Sequence, residues 1–279
     1  MNKWIAAVMV AGAFAVQAKQ LKNPDDNTLW LEDGKEIELS AKPVFSRWMT
    51  ASLDIQSKAD GKGFSLCAKG KNAAMLTRAT LSPEYPYLTF RITDLNLQKG
   101  YRGWTLVLNG MMQSGQSVMP QKGIFVYDLF QNLPEKTAAM RSVYLYFYVY
   151  SLQLDLEYLK MVKKPDYWVR AECADPEIKP GSKVKFTAEL AKEAEDVSIT
   201  LMTTGCPYSV KVNGATKIQL KPTDKTQKIW TAEVEFKTIG LKKPSKRHGL
   251  FMKMDVLGGD LDEPVWVGLP YKVLPQTNN

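Results

Sequence analysis

Short stretches of alternating apolar and polar residues recur in the first half of the chain, and they predict β-strands. Successive side chains of a strand point to opposite faces, so this alternation marks one buried and one exposed face. Turn signals such as "ADGKG" and "SPEYP" separate the stretches. The positions that share an apolar face are Phe64, Leu66 and Ala68; Leu88, Phe90 and Ile92; and Trp104, Leu106 and Leu108.

A second series of alternating stretches follows and predicts a second set of strands. Pro180 and Gly181 predict a tight turn before one of them, because proline fixes φ and glycine accepts positive φ. Between the two series, Pro165 predicts the end of a strand, and charged residues around it indicate solvent. The apolar faces of this series are Val184, Phe186, Ala188 and Leu190; Trp230, Ala232, Val234 and Phe236; and Leu250, Met252, Met254 and Val256.

The stretch "VYLYFYVYSLQLDLEYLKMV" changes its alternation near Tyr150 and Ser151. Up to Tyr150 the even positions are tyrosines and the odd positions are apolar. From Leu152 onward the apolar residues occupy the even positions instead, from Leu152 to Leu156 and then Tyr158. A one-residue shift exchanges the two faces of a strand, so we expect a bulge or tight turn that gives two segments of a sheet. The four tyrosines of the first segment then cover a second apolar surface or face a ligand groove, and core packing is the commoner arrangement.

The first 18 residues predict a cleavable secretory leader. Lys3 supplies a positive start, Trp4 to Val16 is a run of thirteen uncharged residues, and "VQA" fits the small-residue cleavage pattern. The run is shorter than the roughly 20 residues that cross a bilayer. We therefore expect residues 19–279 to be secreted or periplasmic, with no membrane span after the leader is removed.

The charge balance is basic, which favours anionic partners. After residue 18 the chain carries 36 basic and 29 acidic residues, a net charge of +7. Such a balance attracts anionic polysaccharide, although solvated lysines that only improve solubility give the same composition. An exported chain without a nucleic-acid-binding motif is not expected to bind nucleic acid.

The three cysteines and one histidine give little support for a metal site or a catalytic nucleophile. A Cys173–Cys206 disulfide is permitted in an oxidising compartment. However, Cys173 alternates with Val169 and Ala171 on an inward face, whereas Cys206 is out of step with its neighbours, so buried free thiols are favoured. A zinc site has no C-x-x-C or H-E-x-x-H spacing to support it.

The first half resembles a galactose-binding-like jelly-roll module. The resemblance rests on the order of "YPYLTFRITDLNLQKGYRGWTLVLNG", "GIFVYDL" and the tyrosine-rich stretch followed by "KKP". The second half, with "KPGSKVKFTAEL" and further short strands, resembles a bacterial immunoglobulin-like domain. The resemblance implies an all-β protein with two β-sandwich domains in tandem, a jelly-roll at 19–163 and an immunoglobulin-like domain at 167–279. They follow the predicted leader at 1–18 and are joined by the predicted linker at 164–166.

Carbohydrate binding without catalysis is the function that the resemblance implies. A sugar site needs flat aromatic rings for the C–H face of a pyranose and polar groups for its hydroxyls. The candidate ligand-binding residues, which lie near predicted turns, are Arg47, Trp48, Tyr101, Arg102 and Tyr127. Such modules often hold a structural calcium, for which the oxygen donors Asp25, Asp26 and Glu32 are candidates, although solvated acidic residues are the simpler interpretation.

The sequence contains no concentrated motif that would indicate an enzymatic function. A serine triad would have to recruit His248 from a lysine-rich stretch without a G-x-S-x-G motif, and no phosphate-binding glycine loop is present. We therefore expect a non-catalytic binding protein without a cofactor. The alternatives are a structural or adhesion protein with protein partners at the cell surface and, with less support, an accessory polysaccharide hydrolase.

Overall fold

The computed structural model describes residues 52–57, 64–69, 73–80, 83, 85–97, 103–108, 111–112, 122–128, 130, 142–150, 152–203, 209–241, 248–258 and 261–274. These residues form β-strands, turns and bends without a helix, which confirms the all-β prediction for this part of the chain. Within it, no helix is long and apolar enough to cross a membrane.

The strands vary from two to eleven residues in length. In chain order they are β1 Ser52–Ser57, β2 Phe64–Lys69, β3 Ala73–Thr80, β4 Tyr87–Leu97, β5 Gly103–Leu108, β6 Met111–Met112, β7 Gly123–Asp128, β8 Ser142–Tyr150, β9 Leu152–Val162, β10 Tyr167–Cys173, β11 Glu177–Ile178, β12 Lys183–Leu190, β13 Asp196–Thr203, β14 Lys211–Val212, β15 Ile218–Gln219, β16 Lys221–Pro222, β17 Ile229–Glu235, β18 Ile239–Gly240, β19 His248–Leu257 and β20 Val265–Val273.

The alternating stretches form strands where the sequence predicts them, in both halves. Leu88, Phe90 and Ile92 on β4 are fully buried, and Val184 and Phe186 on β12 are equally inaccessible. The predicted turn at Pro180 and Gly181 is also confirmed, because the amide of Ser182 donates to the carbonyl of Lys179 at 2.9 Å and Gly181 has a φ of 93°. His248, at the end of the lysine-rich stretch, begins β19.

The described strands pair into four sheets. Ten strands form one long sheet in the order β1-β2-β9-β4-β7-β20-β19-β13-β15, with β11 also pairing β20. The other sheets are β3-β8-β5-β6, β10-β12-β17-β16 and the two-stranded β14-β18. The long sheet therefore contains strands from both predicted domains.

The second half packs the sheet β10-β12-β17-β16 against the end of the long sheet. Phe186 and Trp230 of the sheet β10-β12-β17-β16 belong to one buried cluster. The long sheet contributes Ile199, Met254 and Val267 to the same cluster. The rings of Phe186 and Phe236 lie 6.5 Å apart within this cluster. This arrangement of two sheets around an apolar core is a β-sandwich.

The two halves are joined by parallel pairing of β7 with β20. The Cα partners are Ile124 with Val265, Phe125 with Trp266, and Val126 with Val267. Because alternate residues point to opposite faces, these two strands serve two cores. Val126, Val265 and Val267 belong to the buried cluster of the second half, while Phe125 and Trp266 lie on the other face.

A row of buried aromatic rings crosses the long sheet on that other face. Phe90 stacks on Phe125 with ring centroids 5.0 Å apart, and Phe125 stacks on Trp266 at 6.0 Å. Tyr127, two residues after Phe125 on β7, also stacks on Phe90 at 6.0 Å. Aromatic pairs contribute about 0.5–1.5 kcal/mol each beyond their buried area, so this row binds β20 to the first half.

Because the long sheet contains strands from both halves, the linker is not the only connection between the two predicted domains. Strands β9 and β10 are separated by residues 163–166, a segment that includes the linker predicted at 164–166. Yet Pro165 is buried there, and the amide of Ala191 donates to the carbonyl of Asp166 at 2.8 Å. The two halves are thus connected by hydrogen-bonded strands as well as by the chain, while the exact domain limits stay a prediction.

Gly123 begins β7 at the point where β7 meets the segment before β20. Its φ is 127°, and a Cβ atom at this position would lie 2.3 Å from the carbonyl oxygen of Pro264. The amide of Ile124 donates to that same carbonyl at 3.1 Å. Glycine is therefore required for both its backbone conformation and this close approach.

We expect Gly123→Ala to lower the free energy of unfolding by about 3 kcal/mol or more, because it adds a steric clash to the cost of a strained φ. Gly214→Ala is the matched control, since Gly214 has a φ of 84° but no atom within 4 Å of the added Cβ. That control should cost only about 1 kcal/mol. Urea unfolding of the three proteins measures the difference, and equal losses would mean that the β7–β20 junction tolerates the methyl group.

Candidate functional site

The tyrosine-rich stretch forms two strands that separate at Ser151. β8 ends at Tyr150 and β9 begins at Leu152, as the change in alternation predicts. The two segments belong to different sheets, because β8 pairs with β3 and β5 whereas β9 pairs with β2 and β4. The prediction of a break is confirmed, and its placement within a single sheet is wrong.

A second change of face occurs within β9. Leu156 pairs with Ile92 and Tyr158 pairs with Arg91, so the pairing with β4 shifts at Glu157. This shift puts Tyr158 on the face of Arg91 instead of the face of Leu156. The sequence predicts an uninterrupted apolar face from Leu152 to Tyr158, and the bulge at Glu157 is the reason that this is wrong.

β8 lies inside its sheet, and the strand pairing defines which residues share a face with its tyrosines. Tyr146 has Leu76 of β3 and Val107 of β5 as its Cα partners. The other pairs on this face, which we call the tyrosine face, are Thr80–Ser142, Arg78–Tyr144, Ala74–Tyr148, Thr105–Tyr148, Gly103–Tyr150 and Val107–Met112.

The opposite face of the same sheet is mainly apolar. Phe147 pairs with Met75 and Leu106. Leu145 pairs with Leu108, and Val149 pairs with Trp104. Thr77, the partner of Leu145, is polar, so the face is mainly apolar. A sheet with one mainly apolar face buries that face in a sandwich. The tyrosine face is therefore the outer face expected for this sheet.

Most residues that the sequence proposes for a sugar or calcium site lie outside the described residues. These are the ligand candidates Arg47, Trp48, Tyr101 and Arg102 and the calcium candidates Asp25, Asp26 and Glu32. Within the part of the chain that the structure describes, no group of three or more His, Cys, Asp or Glu residues is arranged to hold a metal ion.

Tyr127 is a core residue, which corrects its prediction as a ligand-binding residue. Its side chain is 1% exposed and its ring stacks on Phe90. Burial raises the pKa of its phenol well above the usual value. A ring enclosed in this way offers no face to a ligand, and the alternation in "GIFVYDL" already places Tyr127 on the same face as Phe125.

Cys173 carries a free thiol, and Cys206 lies outside the described residues. Cys173 is half-buried on the inward side of β10, as its alternation with Val169 predicts. The hydroxyl of Tyr271 accepts from the backbone amide of Cys173 at 3.2 Å and donates to the carbonyl of Ala171 at 2.9 Å. Tyr271 thereby provides a hydrogen-bond partner for two backbone groups on the outer edge of β10, where such groups would otherwise be unpaired.

An open cleft of about 710 Å³ lies beside Cys173 in the second half. Its lining includes Val184 and Val234 together with a set of charged residues, Glu172, Lys183, Lys185, Glu233 and Glu235. Strand pairing places Glu172 and Glu233 on either side of Lys185, and Glu235 opposite Lys183. Opposite charges across strands stabilise a sheet, so this set has a structural explanation without a ligand.

A charged cluster connects the two halves beside the bulge in β9. Nε of Arg91 donates to Glu263 at 2.6 Å, and another guanidinium nitrogen donates to Glu157 at 2.8 Å. Burial alone would lower the pKa of Arg91, but the hydrogen bond and charge of Glu263, with Glu157, raise it. Because Glu263 precedes β20, this cluster links β4 and β9 to the segment before β20.

Tyr158 lies next to this cluster, on the face of the long sheet that leads to the second half. It shares the lining of a small cavity of about 70 Å³ with Thr89, Ile124 and Lys160. The ammonium group of Lys160 lies 4.5 Å from the centre of its ring. Burial raises the pKa of the Tyr158 phenol to about 12.

Comparisons with known proteins give weak likenesses. No family model and no curated protein matches the chain. A DUF4785 family protein from Legionella pneumophila matches with 11% identity and a TM-score of 0.25, covering 85% of this chain and 66% of that protein. A polysaccharide lyase matches with 11% identity and a TM-score of 0.27, covering 88% of this chain and 37% of the lyase. The chain thus spans just under two thirds and just over one third of these two structures, and neither assigns it a family or an activity.

The raised pKa of Tyr158 predicts a loss of stability in alkali. The unfolded chain releases this proton near pH 10 and the folded chain near pH 12, so the free energy of unfolding falls as the pH rises between these values. The slope for this one group approaches about 1.4 kcal/mol per pH unit. Urea unfolding at pH 9, 10 and 11 measures it.

Tyr158→Phe should flatten that alkaline slope while leaving the stability at neutral pH close to its original value. Some slope should persist, since burial also raises the pKa values of Tyr87 and Tyr127. An unchanged slope in Tyr158→Phe would show that the phenol of Tyr158 titrates equally in the folded and unfolded chains.

Proposed function

We propose that this chain is an exported, non-catalytic binding protein that holds carbohydrate on the tyrosine face of its first half. The observation that carries the proposal is the formation of a strand by residues 142–150, because alternation along β8 places Tyr144, Tyr146, Tyr148 and Tyr150 on one face. Its pairing with β3 and β5 defines which residues lie beside them. The leader predicted at residues 1–18 supports export.

Tyrosine suits a sugar better than a purely apolar residue does. Its ring offers an apolar surface for the C–H groups of a pyranose, and its hydroxyl exchanges hydrogen bonds with sugar hydroxyls or water. The flanking partners become smaller along the strand, from Leu76 and Val107 beside Tyr146 to Ala74 and Thr105 beside Tyr148.

The predicted loop residues remain compatible with this site. Tyr101 and Arg102 directly precede Gly103 in the chain, and Gly103 is the Cα partner of Tyr150. The proposed binding surface therefore starts on the tyrosine face and retains Tyr101 and Arg102 as candidates at its Tyr150 end. The candidates Trp48 and Arg47 are supported by the sequence pattern alone.

The sheet orders support the proposed domain types. In the second half, β10-β12-β17-β16 faces β20-β19-β13-β15, with β11 parallel to β20. An immunoglobulin-like sandwich has the same arrangement of two antiparallel sheets. In the first half, β1-β2-β9-β4-β7 and β3-β8-β5-β6 suit the two layers of a jelly-roll. The proposed role of the second half is to support the first.

A glycan panel tests the proposal with the purified chain from residue 19 to residue 279, including neutral and acidic polysaccharides at low and physiological salt. We expect binding that persists at physiological salt and falls up to about tenfold in Tyr148→Ala, because stacking on an aromatic ring contributes on the order of 0.5–1.5 kcal/mol. Tyr148→Phe, which keeps the ring, should retain most of the affinity.

Tyr85→Ala is the matched control, since Tyr85 is a half-buried tyrosine that lies outside the tyrosine face. It should bind like the unmodified chain. Loss of binding in Tyr85→Ala equal to that in Tyr148→Ala, or the absence of glycan binding at any salt, would contradict the proposal. In the second case a protein partner at the same face becomes the better hypothesis.

A further inference from the structure

We propose that a small cavity between the two halves, the seam cavity, binds one carboxylate group, carried by a small free acid or by an acidic sugar. The proposal goes beyond carbohydrate binding on the tyrosine face and does not depend on it. The cavity has a volume of about 70 Å³ and lies where β4, β7 and β9 approach the start of β10. Its polar lining includes Thr89, Tyr158, Lys160, Lys164 and Asp166.

Strand pairing brings three of these side chains to one face of the long sheet. Lys160 is the Cα partner of Thr89, and Tyr158 is the partner of Arg91, two residues further along β4. Because alternate residues of a strand share a face, Thr89, Tyr158 and Lys160 all lie on the side of the second half. Val126, which is the partner of Thr89 on β7, belongs to the buried cluster of that half.

The hydroxyl groups of Thr89 and Tyr158 form a directed pair in this cavity. Thr89 is 4% exposed, and its side chain hydrogen-bonds to the phenol of Tyr158. Burial raises the pKa of Tyr158, and the hydrogen bond with Thr89 acts in the opposite direction. A bond that lowers the pKa of a phenol is donated to the phenol oxygen, because it favours the charged form. The proton of Tyr158 is therefore left for another acceptor.

The positive charge of the seam cavity is only partly neutralised. The ammonium group of Lys164 pairs with Glu189 at 2.9 Å. Lys160 instead lies over the ring of Tyr158, 4.5 Å from its centre, and forms no ion pair with a carboxylate of the described residues. Among the described lining residues only Asp166 is acidic. An aromatic ring attracts a cation without cancelling its charge, so Lys160 still favours an anion.

The size and the apolar wall of the cavity favour a carboxylate over water or an inorganic ion. A cavity of roughly 10–15 Å³ holds one water, so this one has room for a larger polar group. Ile124, Val162 and Pro165 form an apolar wall against which the carbon bearing a carboxylate packs. The exposed residues Lys164 and Asp166 also line the cavity, so a ligand reaches it from solvent.

Acetate and acetamide are the first pair of probes, because they have nearly the same shape and differ in charge. We expect the folded chain to bind acetate about tenfold more tightly at constant ionic strength, because hydrogen bonds to a charged acceptor are the stronger ones. Titration of the ¹⁵N-labelled chain followed by NMR measures both affinities. Galacturonate and galactose then distinguish the source of the carboxylate. Tighter binding of galacturonate than of acetate would assign it to an acidic sugar, and equal or weaker binding to a small free acid.

Four variants assign the binding to the seam cavity. Lys160→Gln should weaken acetate binding about tenfold and Tyr158→Phe about threefold, because each removes one donor. Asp166→Asn should strengthen binding, because it removes a negative charge from the lining. Lys253→Gln is the matched control, since Lys253 is another half-buried lysine, paired with Asp255 at 2.7 Å on β19. The control should bind acetate like the unmodified chain, and thermal unfolding checks that each variant folds.

The outcomes separate this site from bulk charge and from the proposed function. Equal binding of acetate and acetamide, equal losses in Lys160→Gln and Lys253→Gln, or displacement of acetate by an equal concentration of chloride would each overturn the carboxylate site. If Lys160→Gln does not fold, the opposite responses expected of Tyr158→Phe and Asp166→Asn decide. Acetate binding without glycan binding would support this site and contradict the proposed function.

Discussion

The parallel pairing of β7 with β20 is the constraint on which the rest of the structure depends. These strands come from opposite halves of the chain, yet Phe125 stacks on Trp266 on one face while Val126 and Val267 enter the core of the second half on the other. The indole nitrogen of Trp266 donates to the carbonyl of Lys122 at 3.1 Å, which ties β20 to the start of β7. Neither core is complete without a strand from the other half.

This pairing limits how the two halves move. A hinge between sandwiches would have to break the β7–β20 hydrogen bonds and separate the buried rings, at a cost well above that of bending a loop. The ion pairs of Arg91 with Glu157 and Glu263 lie at the same junction, with the Arg91 side chain 36% exposed, so they contribute less than the buried contacts. The second half is better understood as a rigid support than as a mobile partner.

Much of the strand pattern is predictable from alternation, whereas the junction is not. Local alternation predicts β4, β12 and β19, because each of these strands buries every second residue. It does not predict that β7 and β20 pair, since pairing between distant strands depends on the shape of both sheets. The bulge at Glu157 also escapes a pattern argument, because Leu156 and Tyr158 suit the same face equally well. Strand β3 escapes it as well, because "AAMLTRAT" alternates too weakly to indicate a strand.

The presence of tyrosine instead of phenylalanine on β8 bears on whether the tyrosine face is buried or in contact with water. The described cores use mainly phenylalanine, which has no hydroxyl that needs a partner, although they also bury Tyr127. The buried phenylalanines are Phe90, Phe125, Phe186 and Phe236. Burying a hydroxyl without a hydrogen bond costs on the order of 1–3 kcal/mol, so four consecutive tyrosines facing an apolar layer would each need a buried partner. Water or a hydroxyl-rich ligand satisfies all four without such partners. An outer position of the tyrosine face, as we propose for β8, therefore leaves the four hydroxyls to water or a ligand instead of requiring four buried partners.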